Sequence, residues 1–346
     1  MSSNPYSLTF GKEPPQIISR VVQIEEVIRT FTDEQPAQQV FIITGIRGSG
    51  KTVLMTEISK MLACDSDWIA VELNPERDML TALAAKLSSE DKLAALFKTA
   101  KLNLSFFGFG LEVSNAAPIN DIEIALEKML EVVKKQGKRL LITIDEASNT
   151  KNMRSFVSAF QILIRKDLPV FLLMTGLYDN ISALQDENNL TFLYRAPKIE
   201  LRPLNLGAIA DNYRANLALD DETALKMARM TKGYSFAFQV LGHYTWENGG
   251  LSDVVVSKFR HYLEEYVYEK IWSESSATDR KILFCIAKSK SGKVSEIREL
   301  AGMESNQFSP YRKRLIRKGL INGDAHGYIT FALPMFERFI IENYLE

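Results

Sequence analysis

Five short apolar, β-branched runs alternate with helix-period segments along the first two hundred residues. They lie at 39–44 (QVFIIT), 68–73 (WIAVEL), 139–144 (RLLITI), 169–175 (PVFLLMT) and 198–201 (KIEL). The longer runs read as nearly continuous apolar stretches, not alternating ones, which predicts strands covered on both faces. Amphipathic spacing predicts helices at 21–32, 52–62, 78–99 with a break at Ser88-Ser89, 119–135 and 153–166. Strands alternating with helices predict βαβ units and a mainly parallel sheet. Leu102, Leu104, Phe106, Leu111 and Val113 alternate across glycines, which predicts a hairpin or an edge strand pair.

The pattern changes after Pro203. Helical spacing alone follows, at 206–217, 222–231, 236–246 and 253–272, with Asp220 and Asp221 as candidate caps. From Ala277 the order is helix (278–288), helix (294–301), helix (306–318), a short strand (320–322), a turn (323–327) and a strand (328–333). That is the order of a winged helix-turn-helix. The amphipathic end, 334–344, is expected to pack back onto this module or the preceding helices. The expected division is therefore an α/β core at 1–203, an all-α lid at 204–275 and a winged-helix domain at 276–346.

Composition sets the outer limits. The chain has 346 residues, 46% hydrophobic and 25% charged, with a net charge of −1. This is ordinary for a globular protein and excludes a disordered chain, a collagen-like fibre, a disulfide scaffold and a uniformly basic coat protein. Cys64 and Cys285 have no Cys or His neighbour at metal-ligand spacing, so two buried thiols in a reducing compartment are expected. No apolar leader opens the sequence, and no run approaches the roughly 20 apolar residues of a membrane span. A cytoplasmic protein with no membrane partner is the expectation.

The chemistry begins where the first strand ends. Gly45-Ile46-Arg47-Gly48-Ser49-Gly50-Lys51-Thr52 satisfies G-x-x-x-x-G-K-[ST], with a strand before it and a helix after it. Glycines tolerate positive φ, so successive N–H groups can turn inward and form a nest for an anion. The following helix adds the positive end of its dipole. Lys51 is placed to reach the β- and γ-phosphates, and the Thr52 hydroxyl to ligate Mg²⁺. Downstream, strand 139–144 ends in Asp145-Glu146. Parallel strands deliver their C-terminal residues to one sheet edge, the edge that carries the glycine-rich loop. Asp145 is then expected in the Mg²⁺ shell through water, and Glu146 beside the attacking water.

With these motifs the chain resembles the AAA+ branch of P-loop ATPases. It looks most like the archaeal-type ATPase family, related to origin-recognition initiators and STAND signalling ATPases, and the resemblance spans nearly the whole chain. Ile17-Ile18-Ser19-Arg20 followed by Glu25-Glu26 is similar to the family's lead-in, which implies Ile18 and Arg20 beside the adenine. Leu172-Leu173-Met174-Thr175-Gly176 sits where the family places sensor 1, with Thr175 as its polar tip. Phe192-Leu193-Tyr194-Arg195 before Ile199-Glu200-Leu201-Arg202-Pro203-Leu204 resembles the segment that can carry an arginine finger. That implies a catalytic role for Arg195 in its own site or a neighbour's, with Arg165 a weaker candidate. Thr231-Lys232-Gly233-Tyr234-Ser235 looks like the family's GGxP lid turn, but Ser235 stands where Pro is usual. No arginine opens the following helix as sensor 2, which suits a slow switch better than a fast motor.

Residues 277–346 carry 12 Lys or Arg against 8 Asp or Glu, while the rest of the chain carries 30 against 35. Arg312, Lys313, Arg314, Arg317 and Lys318 share one predicted helix with Asn306 and Gln307 near its start. In a winged helix that start meets base edges and the basic residues hold phosphates. The combined expectation is an ATPase, with ATP and Mg²⁺ bound between core and lid, whose nucleotide state repositions a module on duplex DNA. The alternative is a signalling or assembly switch, self-associating or binding another protein through the same module.

Overall fold

The computed structural model describes residues 3–9, 11, 13–109, 113, 116–188, 190–323 and 325–344. The chain forms two compact units. One comprises Arg20–Thr44 and Lys51–Glu200; the other comprises Met1–Ser19, Gly45–Gly50 and Leu201–Glu346.

The first unit is a five-stranded sheet flanked by helices. Its strands are β1 (Val40–Thr44), β2 (Trp68–Leu73), β3 (Arg139–Ile144), β4 (Val170–Gly176) and β5 (Lys198–Glu200), ordered β2-β3-β4-β1-β5 and all parallel. Its helices are α1 (Val21–Thr32), α2 (Lys51–Ala63), α3 (Met79–Ser89), α4 (Asp91–Thr99), α5 (Ile122–Lys135), α6 (Lys151–Arg165) and α7 (Tyr178–Gln185). Strands β1 and β4 are buried at every position, as continuous apolar runs require. Asp78, Asp121 and Thr150 cap α3, α5 and α6 by accepting a backbone N–H of the first turn. Under the sheet's N-terminal edge, Phe31, Phe41, Trp68 and Phe171 form an aromatic cluster with ring centroids 5.0–6.4 Å apart. The Arg139 guanidinium lies over Trp68 and Phe171 and donates to the Phe31 and Asp33 carbonyls, tying the end of α1 to β3.

Two expectations are corrected here. Leu102 and Leu104 are buried in a loop that ends in a 3₁₀ turn, Ser105–Phe107, and no hairpin forms among the described residues; Leu111 lies outside them. Burial of the alternate leucines produced the strand-like spacing without strand pairing. Helix α7, whose short sequence carries little periodicity, follows β4 in a stretch for which the sequence pattern predicted no element. Cys64 is exposed just after α2, whereas Cys285 is buried.

The second unit is mainly helical. It contains α8 (Leu206–Leu217), α9 (Asp221–Thr231), α10 (Ser235–Glu247), α11 (Asp253–Leu263) and α12 (Glu269–Glu274), with a π-helical turn, Glu264–Tyr268, joining the last two. Then come α13 (Ala277–Lys288), α14 (Val294–Ala301), α15 (Ser305–Arg317), a two-stranded antiparallel sheet of β6 (Ile321–Asn322) and β7 (Thr330–Phe331), and α16 (Phe336–Asn343). Asp220 caps α9 and Asn205 caps α8. One apolar cluster runs through the unit from Tyr6, Tyr213 and Phe238 to Phe308, Phe331 and Phe336. The C-terminal helix packs inward as expected, with Phe336 and Phe339 against Tyr268. Among the described residues no helix is long and apolar enough to cross a membrane.

Candidate functional site

Strand order decides what meets at the sheet's C-terminal edge. β4 lies between β1 and β3, with Ile43 opposite Thr175 and Ile144 opposite Met174. Thr175 is thereby set beside the residues that follow β3. Asp145 lies at the centre of the resulting cluster. It accepts from Thr52 Oγ1 at 2.7 Å through Oδ2 and from the Thr175 hydroxyl through Oδ1. The Glu146 N–H donates to Asp145 Oδ1 at 3.1 Å and to Thr175 Oγ1 at 3.2 Å. Four residues from α2, the β3 end and the β4 end thus share one hydrogen-bond network.

Glu146 adopts φ 54°, left-handed for a residue with a Cβ, and its side chain is exposed. Such strain, on the order of 1–3 kcal/mol, persists where the surroundings fix it. Here the fixing bonds are the N–H contacts to Asp145 and Thr175 and the Ala147 N–H to the Thr175 carbonyl at 2.7 Å. Gly176 closes β4 against this turn; a Cβ there would stand 2.9 Å from the Ala147 carbonyl and 2.7 Å from Ile181 Cδ1.

The glycine-rich loop has the backbone its sequence requires, with φ of 72° at Gly48 and 90° at Gly50. A Cβ on Gly45 would stand 2.5 Å from Ser49 Oγ, so the loop folds tightly on itself. Within the second unit, residues 234–236 at the start of α10 hydrogen-bond the carbonyls of Arg47, Gly48 and Ser49. The Arg47 guanidinium lies 3.7 Å from Glu274 at the end of α12. Lys51 and Thr52 open α2, so their N–H groups lie in the helix's first turn, at the positive end of its dipole.

The remaining candidates are placed as follows. Ile18 packs against the apolar cluster of the second unit. Arg20 precedes α1; burial lowers its pKa, and Glu57 on α2 acts in the opposite direction. Arg195 is exposed at the end of the 3₁₀ turn Thr191–Arg195. Asn306 and Gln307 lie exposed in the first turn of α15, where Gln307 completes a capping box with Glu304. Arg312 donates to the Gly323 carbonyl at 3.2 Å. Arg314 and Lys318 both hold Asp279, which is buried at the start of α13, at 2.5 and 3.4 Å.

Two groups of residues escaped the sequence reading. Tyr234 and Ser235 were legible as a lid turn but gave no sign of their loop contacts. Asp279 and Glu274 carry no motif at all.

A parallel sheet with this strand order, a glycine-rich loop on β1 and an Asp-Glu pair after β3 define a P-loop ATPase fold. Residues 18–170 match the family described as the ATPase domain predominantly from Archaea. Residues 265–340 match a domain of unknown function, DUF8462. The fold is similar to the Walker-type ATPase paby2304 of Pyrococcus abyssi, at 15% identity over 94% of this chain and 96% of that one, with TM-score 0.65. It is also similar to the Aeropyrum pernix ORC2 protein in its ADPNP–ADP complexes, at 14% identity over 96% of each chain, TM-score 0.61. A third likeness is to Cdc6p from Pyrobaculum aerophilum, at 12% identity over 96% of each chain, TM-score 0.50. No curated protein matches the sequence. The resemblance to the archaeal-type ATPases is borne out.

Proposed function

We propose that this ATPase is a nucleotide-controlled switch that binds ATP on Gly45–Thr52 and hydrolyses it slowly. The observation that carries the reading is the Thr52–Asp145–Thr175 network, whose Thr52 ends the G-x-x-x-x-G-K-[ST] motif. The donor set fits Mg²⁺: a hydroxyl and a carboxylate are hard oxygen ligands, and Thr52 and Asp145 already approach to 2.7 Å. When bound, Mg²⁺ would neutralise charge on the β- and γ-phosphates.

The chain's own residues have distinct tasks. Amides of Gly48, Ser49 and Gly50 cradle phosphate oxygens, with Arg47 at the loop's rim and Gly45 permitting the tight fold. Lys51 adds a point charge at the β- and γ-phosphates. The Glu146 carboxylate orients a water and takes its proton as the γ-phosphoryl group leaves ADP. Thr175, bonded to Asp145, registers whether the γ-phosphate is present. Arg195 supplies charge to the transferring group, and Ile18 and Arg20 border the adenine. Catalysis here is positioning and electrostatics without a covalent intermediate.

The C-terminal module is read as a winged helix in which α15 meets duplex DNA. Asn306 and Gln307 face base edges, and Arg312, Arg314 and Lys318 lie along the phosphates. One observation favours a second reading, a protein-docking module that gates self-association: Arg312, Arg314 and Lys318 already hold groups of their own chain. A gel-shift titration on random duplex, with ATP, ADP or no nucleotide, separates the two. DNA binding predicts a complex that weakens steeply with salt and depends on nucleotide. No complex at low salt leaves the protein-docking reading.

A further inference from the structure

Three consecutive residues at the start of α10 hold three consecutive carbonyls of the glycine-rich loop. Tyr234 Oη donates to the Arg47 carbonyl at 2.6 Å. Ser235 Oγ donates to the Ser49 carbonyl at 2.9 Å, and the Phe236 N–H donates to the Gly48 carbonyl at 3.1 Å. All six residues belong to the same compact unit.

A trans peptide is planar, and its C=O points opposite to the N–H of the next residue. Pinning the carbonyls of 47, 48 and 49 therefore fixes the directions of the N–H groups of 48, 49 and 50. Those are central amides of the nest that would meet phosphate. The Ser49 N–H also closes a turn onto the Ile46 carbonyl at 3.2 Å, so the same bonds shape the turn.

The approach is close enough to require glycine. A Cβ on Gly48 would stand 2.4 Å from Tyr234 Oη and 2.9 Å from Phe236 Cβ. Tyr234 is 5% exposed. Burial pushes its phenol pKa far above the ordinary value, so the hydroxyl remains a donor throughout the neutral range.

We propose that Tyr234 and Ser235 are positioning residues for nucleotide binding: through the Arg47 and Ser49 carbonyls they preset the loop's amide nest. This rests on reading the loop as the nucleotide site. A preset nest holds ground state and transition state alike, so its loss raises KM more than it lowers kcat.

The test uses the full chain with Mg²⁺, and the probes are ADP and ATP. Wild type and Lys51→Ala, compared by calorimetry, test the nucleotide site itself. Absence of binding to wild type, or equal affinity in both, removes that reading. Tyr234→Phe keeps the ring and removes only the hydroxyl; Ser235→Ala removes the second donor. With the site established, the expected result for Tyr234→Phe is a KM for ATP and a Kd for ADP each raised about tenfold. That is about 1.4 kcal/mol, the size of one hydrogen bond. Its kcat stays within about threefold. Ser235→Ala is expected to raise both constants less, and it carries the test if Tyr234→Phe does not fold. A purely structural role lowers the melting temperature but leaves the Kd of the folded fraction unchanged. Wild-type Kd and KM in both variants would overturn the proposal while leaving the nucleotide site intact.

Discussion

Thr52 Oγ1 donates to Asp145 Oδ2 at 2.7 Å although 93 residues separate them. The bond joins the first turn of α2 to the end of β3, and the Thr175 hydroxyl on the intervening strand occupies the other carboxylate oxygen. Asp145→Asn replaces one acceptor by an amide N–H₂, which cannot accept from either hydroxyl. The expected outcome is a loss of Mg²⁺-dependent ATP turnover of roughly a hundredfold or more. Phosphate release measured at saturating ATP checks it, and wild-type turnover would remove Asp145 from the site.

Glu146 is exposed, and its main chain is held in place by Asp145 and Thr175. Glu146→Gln retains shape and loses basicity. Single-turnover hydrolysis is expected to slow by about 10²–10⁴, the range of general-base catalysis. ADP affinity should change little. Equal rates in variant and wild type would mean that the water is oriented by another group.

Asp279 is 1% exposed and holds Arg314 and Lys318. Asp279→Ala leaves those cations without their buried partner and is expected to cost about 2–4 kcal/mol, less than a wholly buried pair because Arg314 is partly solvated. Urea denaturation measures it. Arg314→Ala should cost less. A shift below about 0.5 kcal/mol for Asp279→Ala would show the ion pairs to be energetically idle.

Glu296 accepts from the Ser291 hydroxyl, the Lys290 and Ser291 N–H groups and the nearby Ser289 side chain, which hold its carboxyl down at about 2. An unfolded glutamate titrates near ~4.3. The group's pKa is depressed on folding, so its stabilising contribution is complete above the unfolded value and is lost as pH falls toward 2. The stability difference between wild type and Glu296→Gln should hold steady above about pH 5.5 and shrink through the acid range. A difference that grows on acidification would contradict the assignment.

Much of the first unit was readable because its signals are local. A buried parallel strand must be apolar at successive positions, and 139–144 and 169–175 announce themselves on that ground. The same spacing misled at Leu102 and Leu104, since burial of a loop and pleating of a strand can leave similar alternation. In the second unit, 253–272 carries one helical period, yet the chain divides there at a π-helical turn around buried Tyr268. Tyr268 donates to the Pro334 carbonyl, a partner 66 residues away that helical periodicity cannot signal.

By itself the sequence determined the glycine-rich loop, the acidic pair after the third strand and the alternation that makes a parallel sheet. These are properties of contiguous residues, set by φ tolerance, side-chain period and helix dipoles. Only the tertiary structure decided that Thr175 would reach Asp145, that Asp279 would hold Arg314 of α15 and Lys318 just after it, and that Tyr234 would grip the loop from 187 residues away. Such contacts depend on strand order and on which helix faces pack together, and no local pattern along the chain encodes them.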